Sequence, residues 1–396
     1  MYLHSGKKPC GDRRGNVIVL TAFFMTVMVA FVALGVDLGF LQNARVELQT
    51  SADSSAMAAA AELTYYDESL MAQEALPQNI ADYLAAARDR AVQYAALNEV
   101  CQSAPIVDPN TSNSQAGDVV IGYLADGADP QGPLDTTDPQ KYNAVQIRVR
   151  RVSSQNGEVP MFFGRSLGLG SVATEAIATA VIEKNIDGFR TPDDNETLNV
   201  LPYAIDRDTW NNLINSGTGS DNWRWDESTN TVVLGSDNIK EINLFPQASG
   251  WAAKRGTVDI GSSSNSTADL ARQIVQGISK QEMLDLGKPL EFDGTGKLTL
   301  NGDMGISTGV KDQLASIVGK TRIIPIFESV TGSGNTCTYT IVQWAGVRVL
   351  DVKLTGGKSS KRLTIQPATV VSKYASVNPD STTTSWFVYT PPKLVR

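Results

Sequence analysis

The chain has 396 residues, and at about 100–200 residues per domain this predicts two or three folded units. Charged residues make up 19 % and hydrophobic residues 42 %, which excludes a disordered chain. The net charge of −8 is unevenly placed: Lys7, Lys8, Arg13 and Arg14 face a single acid, Asp12, near the start, and the remainder is acidic. An acidic body lacks the basic face that phosphate contacts need, so no nucleic-acid partner is predicted.

The only histidine, His4, lies in the short basic tail. The body therefore cannot build a Ser-His-Asp, Cys-His or His-ligated zinc site. Carboxylate-only or lysine-based chemistry stays open. The three cysteines are Cys10, Cys101 and Cys337, with no CxxC pair. Cys101 and Cys337 follow the apolar segment described next and would share one compartment, as a disulfide or as two free thiols.

Residues Val17–Val36 carry no charge, and twelve of the twenty are Val, Ile, Leu or Phe. At ~1.5 Å per residue they reach ~30 Å, the thickness of a bilayer core. Their transfer contributes roughly −5 kcal/mol. The run is too long for the ~7–15-residue core of a cleaved signal peptide, and a helix-favouring stretch follows without a break. The basic flank precedes the span, and Asp37 is the first charge after it. The positive-inside rule then predicts a cytoplasmic tail at 1–16, a transmembrane helix at 17–36 and an extracytoplasmic body beyond Asp37.

Residues 37–63 contain no proline. Leu41, Ala44, Leu48, Ser51, Ser55 and Ala58 recur at three- and four-residue steps, which predicts one small, apolar helix face. Such a stripe admits another helix closely, in this chain or in a partner. A second helix is predicted at Ile80–Asn98, with Leu84, Ala87, Ala91, Tyr94 and Ala95 on its apolar face. Pro77 and Asn79 mark its start, so residues 37–99 read as a helical hairpin stalk.

Arg14-Gly15-Asn16-Val17, the apolar span, Val36-Asp37-Leu38-Gly39, Leu48-Gln49, Ala52-Asp53 and Ala56–Leu63 together resemble the N-terminal region of TadE/TadG-like proteins of tight-adherence (Flp-type) pilus assembly. Ala91–Val100, Asp118–Gly122, Asn143–Val149 and Val159–Phe163 resemble the stretch that follows the helix in TadG-like proteins. Gly256–Gly261, Arg322–Phe327, Gly334–Asn335 and Tyr339–Gly346 resemble that group's distal domain. The resemblance implies a membrane-anchored extracytoplasmic component of a pilus or secretion apparatus. Its partners would be the membrane and other pilus-assembly or secretion proteins, met through the N-terminal helix. Some TadG-like proteins carry a von Willebrand-type domain with a DxSxS metal site. Here Asp53-Ser54-Ser55-Ala56-Met57 fails at its last position and Asp259-Ile260-Gly261 at its third.

The remaining sequence reads as an α+β body in two β-rich units. Strands are predicted at Val119–Leu124, Ala144–Val152 and Val172–Glu183, placing a β-rich unit at 100–186. The polar Asp187–Asn195 stretch marks a boundary to an α+β unit at 187–375. There a hairpin is predicted at Trp223–Leu234. Helices are predicted at Thr267–Ile278, capped by Thr267, and at Val310–Val318. Strands follow at Arg322–Phe327, Tyr339–Trp344 and Val347–Thr355, with a Gly-rich turn at Ser329–Asn335. Residues 376–396 read as a C-terminal tail.

Several groups invite a chemical reading and a plainer one. Asp126, Asp129, Asp135 and Asp138 lack calcium-loop spacing and read as a solvated loop. Gly356-Gly357-Lys358-Ser359 resembles the end of a phosphate loop, but the earlier glycine is replaced by Val352, so a strand-ending turn is the better reading. Glu291, Asp293 and Asp303 are close in sequence and read as solvated rather than as paired acids. Trp210, Trp223, Trp225, Trp251, Trp344 and Trp386 read mainly as core, with binding of sugars or partner surfaces as the alternative. Asp37 either ends the span in water or pairs with a partner's basic group.

No catalytic, cofactor-binding or metal-ligating residue is predicted, and no cofactor. The expectation is a non-enzymatic structural or assembly component of a tight-adherence pilus or related surface machine. The alternatives are a pilin-like subunit cleaved after Gly15 and an extracytoplasmic carbohydrate-binding module. Leu20 would be the fifth residue after a cut at Gly15, where prepilins usually place Glu.

Overall fold

The computed structural model describes residues 14–65, 76–125, 129, 131–245, 254–261, 266–378 and 385–395. Helix α1 (Arg14–Glu62) is continuous for 49 residues, or roughly 70 Å at the α-helical rise. It joins the predicted span and the predicted stalk into one rod, because nothing between Val36 and Glu62 breaks the hydrogen-bond ladder. Its first part is bare: Val17 to Val36 present their large side chains to the outside. From Asp37 onward it is embedded, with Leu41, Ala44, Leu48, Ser51, Ala52, Ser55, Ala56, Ala59 and Ala60 buried. Ala58, expected on the buried face, is only half-buried.

Helix α2 (Leu76–Leu97) starts four residues earlier than expected and packs antiparallel to α1. Ala87, Ala91 and Ala95 meet the alanine stripe of α1. With only methyl groups at the contact, the backbones come close enough for Ser51 Oγ to donate to the Ala95 carbonyl at 3.3 Å. Arg90 bridges to Glu62 at 2.8 Å. Tyr94, expected on the apolar face, is exposed, and that helix buries Arg88 instead. The Arg88 guanidinium donates to the carbonyls of Pro109 (2.7 Å) and Val119 (3.0 Å) and to Asn113 Oδ1 (2.9 Å). It fastens the hairpin to the loop leading into the sheet.

That sheet has four antiparallel strands. Strands β1 (Val119–Gly122), β2 (Ala144–Arg151) and β5 (Thr174–Val181) stand in this order. A small ribbon, β3 (Val159–Pro160) with β4 (Ser171–Val172), leaves the connection between β2 and β5. Strand β2 alternates, and Val145, Ile147 and Val149 form one core with the α-hairpin. The opposite face holds Val120, Leu134, Ala144 and Val181. The predicted strand Val172–Glu183 is the eight-residue β5, with Val172 itself belonging to the short β4 before it.

The fourth strand is Lys393–Val395, antiparallel to β5. Residues 376–396 are therefore not a free tail. They carry Ser385–Trp386, parallel to Trp344–Ala345, and Val388–Tyr389, parallel to Val370–Val371, before closing the first sheet. Tyr389 lies in the first core at 1 % exposure, and Thr369 Oγ1 donates to the Thr64 carbonyl at 2.9 Å. The two units touch, and the chain's end ties one to the other.

The distal unit centres on strands whose pairing closes on itself. Tyr203–Asp206, Arg255–Val258, Leu298–Asp303, Cys337–Lys353 and Thr321–Thr331 pair in that order, and the last pairs with the first in parallel. A closed circuit leaves no free edge between these strands. Cys337–Lys353, expected as two strands, is one of 17 residues. It runs through Gly346, where a Cβ would come 2.4 Å from the Ala368 carbonyl oxygen and 2.5 Å from that of Phe387. Glycine there marks crowding by neighbouring backbone, not a break. Arg362–Pro367 and Ile242–Asn243 extend the sheet from this long strand.

Four helices of this unit, Arg207–Ser216, Thr267–Gln276, Lys280–Asp285 and Lys311–Ala315, are short. Trp210, Leu213, Leu270, Ile274 and Leu314 pack on Ile324, Ile326, Val347 and Val349. The cap of the second is Ser266, whose oxygen accepts from the Asp269 amide, rather than Thr267. The predicted helix Val310–Val318 is a 3-10 turn, Thr308–Val310, followed by Lys311–Ala315. The strand before the Gly-rich turn reaches Thr331, so that turn is shorter than expected. The hairpin is Trp223–Asp226 with Thr231–Leu234. Cys101 and Cys337 are free thiols, one against the first core and one inside the second.

Tyr389→Ala should cost about 3–5 kcal/mol, as for other large buried aromatics. Hydrogen exchange would show the loss first in Thr174–Val181, far from position 389 in sequence. A loss confined to residues near 389 would contradict this linkage.

Candidate functional site

The change from bare to embedded helix occurs at Asp37. Its side chain is 2 % exposed, although its neighbours Val36 and Leu38 are about half exposed. The carboxylate accepts from three consecutive backbone amides of the segment after β3. Phe162 N–H donates to Oδ1 at 2.8 Å, Phe163 N–H to both oxygens at 3.2 and 3.1 Å, and Gly164 N–H to Oδ2 at 2.6 Å. These amides open the 3-10 turn Gly164–Leu167, whose own N-cap, Phe163, provides no side-chain acceptor. A carboxylate 125 residues earlier in the chain supplies the missing cap.

Only glycine fits at position 164. A Cβ would lie 2.7 Å from the Leu169 carbonyl oxygen and 3.3 Å from Asp37 Oδ2. Around the cap, Leu41, Ala44 and Val159 form a small core with Phe40 and Val172. The Phe40 and Phe162 rings meet edge to face, 5.0 Å between centroids. Beside this lies a shallow cleft of Ser153, Glu158, Pro160, Arg165, Gly170 and Ser171. Burial pushes the Asp37 carboxyl up, but the amide bonds from Phe163, Gly164 and Phe162 outweigh it, leaving it below its ordinary value.

Asp37 thus neither faces water nor awaits a partner's cation, the two readings its sequence position suggests. Nothing in the local sequence marks its true partner, because backbone amides carry no residue code. The weak signal was the Phe162-Phe163-Gly164 run.

The other groups singled out in sequence do not assemble. Asp135 accepts from the Thr137 amide and hydroxyl, Asp129 from the Gln131 amide, and Asp138 lies 3.6 Å from Lys141. Each closes its own turn; Asp126 is outside the described residues. Asp293 binds its own turn at Thr295, and Glu291 accepts from Ser376. The Asp303 carbonyl accepts from the Tyr339 hydroxyl. Gly356–Ser360 forms an exposed turn after the long strand, with Gly356 at φ +90°. Trp210 and Trp344 are wholly buried, and Trp225 stacks under Arg348 at 4.3 Å. Trp251 is outside the described residues. Among the described residues, no group of three His, Cys, Asp or Glu side chains is placed to hold a metal.

The protein is therefore defined by one long helix, bare and apolar over Val17–Val36, rooted in an α+β body. Residues 15–62 match the TadE/G-like family of Flp pilus assembly, and residues 44–180 match a Tad-like Flp pilus-assembly family. Residues 15–180 are thus TadE/TadG-like, with the matches ending at the last residues of β5 and leaving the distal unit outside both. No curated protein and no solved structure gives a match.

Because its pKa is depressed, the Asp37 carboxylate supports the loop fully above the ordinary carboxylate value near 4, and this is lost as pH falls through the lower, folded-state value. Exchange protection of the Phe162–Gly164 amides, corrected for intrinsic rates, should therefore hold to about pH 4 and collapse below it. In Asp37→Asn, protection should be weaker at neutral pH and lose this acid step. An unchanged profile in the variant would rule out the capping role.

Proposed function

We propose that the protein is a membrane-anchored, non-enzymatic structural or assembly component of a Flp-type pilus or a related surface machine. Its N-terminus lies in the cytoplasm and its body outside. The observation that carries this reading is the exposure of the entire apolar segment Val17–Val36 in a helix that is deeply embedded only from Asp37 on. A soluble body would not leave some 30 Å of apolar helix in water. The family match supplies the pilus, and the basic residues before the span supply the orientation.

The bare helix meets its partners in the membrane. Other pilus-assembly or secretion proteins with spans of their own are the partners this geometry suits. A second reading is favoured by the continuity of the helix from Arg14. Cleavage after Gly15 would leave the rod intact and allow its apolar part to pack against other copies in a filament.

Alkaline washing of membranes should leave the full-length protein in the pellet, and a reporter fused after Arg396 should be active only outside the cytoplasm. Deleting the gene in a strain with no second copy should abolish or alter pili and adhesion. Intact pili and adhesion there would refute the assembly role. N-terminal sequencing of the native protein distinguishes the readings: Met1 supports the permanent anchor, Asn16 the processed subunit.

A further inference from the structure

The loop between β3 and β4 presents an apolar surface that neither core uses. Phe162, Phe163 and Leu169 are 58 %, 49 % and 60 % exposed. They belong to a ten-residue segment, 161–170, whose ends are clamped by the Met161 amide donating to the Gly170 carbonyl at 3.1 Å. Inside it, the Leu169 amide donates to the Gly164 carbonyl at 2.9 Å. The loop is thus a built feature, held in shape while showing its largest side chains outward.

Its height along α1 is set by two contacts. The Asp37 carboxylate holds the loop's backbone, and the Phe40 ring meets that of Phe162. Asp37 is the first residue past the apolar span. Phe40, three residues further, is only ~4.5 Å higher along the helix axis. The headgroup layer outside the hydrocarbon core is roughly 5–7 Å thick on each side. A loop fixed between these heights cannot clear that layer. Headgroup depth is where aromatic side chains partition, with an apolar body toward the chains and a polar surround. Arg165, exposed on the same loop, is placed to meet lipid phosphate, although Glu158 across the neighbouring cleft opposes it.

We propose that segment 161–170 is a second membrane contact, a wedge that seats Phe162, Phe163 and Leu169 in the outer-leaflet interface beside the helix. The occupant of this apolar surface is lipid, because the surface is continuous with the bare helix at the level where that helix leaves the bilayer. The inference rests on the anchor reading above. With the wedge in place the body sits directly on the bilayer. Tilt of the rod is then restricted toward the side of the loop.

The test uses the full chain reconstituted in phosphatidylcholine–phosphatidylglycerol vesicles, with acyl chains brominated at a shallow position. Phe163→Trp and Leu169→Trp place an indole at exposed loop positions without altering the Asp37 cap. Val29→Trp reports the span, and Thr295→Trp, in an exposed turn of the distal unit, reports background. Emission is taken relative to the wild-type chain, whose six tryptophans all lie beyond residue 200. Quenching of the added emission at 163 and 169 by about twofold, with none at 295, is expected for side chains at the interface. Quenching at 29 but not at 163 and 169 overturns the wedge and leaves the anchor standing. A blue-shifted but unquenched emission at 163 and 169 overturns it too, since protein would then cover the loop. Absence of quenching at all four positions removes the anchor reading and the wedge with it.

Discussion

One helix changes its surroundings along its length. Over Val17–Val36 its side chains are apolar on every side, and over Asp37–Glu62 it is buried by a sheet and a second helix through a stripe of small residues. No loop intervenes to decouple these parts. The bare and the embedded parts are one continuous helix, and the place where its surroundings change is fixed in the sequence. Asp37 is that point. A carboxylate there is costly to bury without partners, and three converging amides supply them.

Those amides belong to a segment far along the chain, so the cap does more than finish the span. It fixes the β3–β4 loop, and through it one end of the first sheet, to the base of the rod. The other end is held by the strand Lys393–Val395, and Tyr389, a few residues before it, lies in the same core. Arg88 secures the side through carbonyl oxygens. The first unit is thus tied at its base, flank and far edge by groups from four separate stretches of chain. The distal unit, in contrast, closes its principal sheet on itself and meets the first mainly where the chain's end returns.

The periodic features were legible from the amino-acid order. The span, the small-residue face of α1, the hairpin at Trp223–Leu234 and the positions of β1 and β2 all follow from local hydropathy and turn chemistry. The 17-residue strand reads as two, Tyr339–Trp344 and Val347–Thr355, with Gly346 between them, while in the fold the carbonyl oxygens of Ala368 and Phe387 crowd that position. Thr267 gave way to Ser266 as cap by a single position, within the ordinary play of helix ends. The polar, proline-bearing C-terminus reads as a tail because strands of two or three residues leave no periodicity to find.

By itself, then, the amino-acid order determined that residues 17–36 form an apolar rod of bilayer length, that the rod continues as a small-faced helix, and that an α+β body follows. Each of these depends on neighbours within a few residues, where side-chain type alone sets the free energy. Only the tertiary structure decided what becomes of Asp37, which strands close which sheet, and where the last residues go. Those outcomes rest on backbone groups, identical at every position, meeting across a hundred residues or more, and a string of side-chain identities does not encode which amide will face which carboxylate.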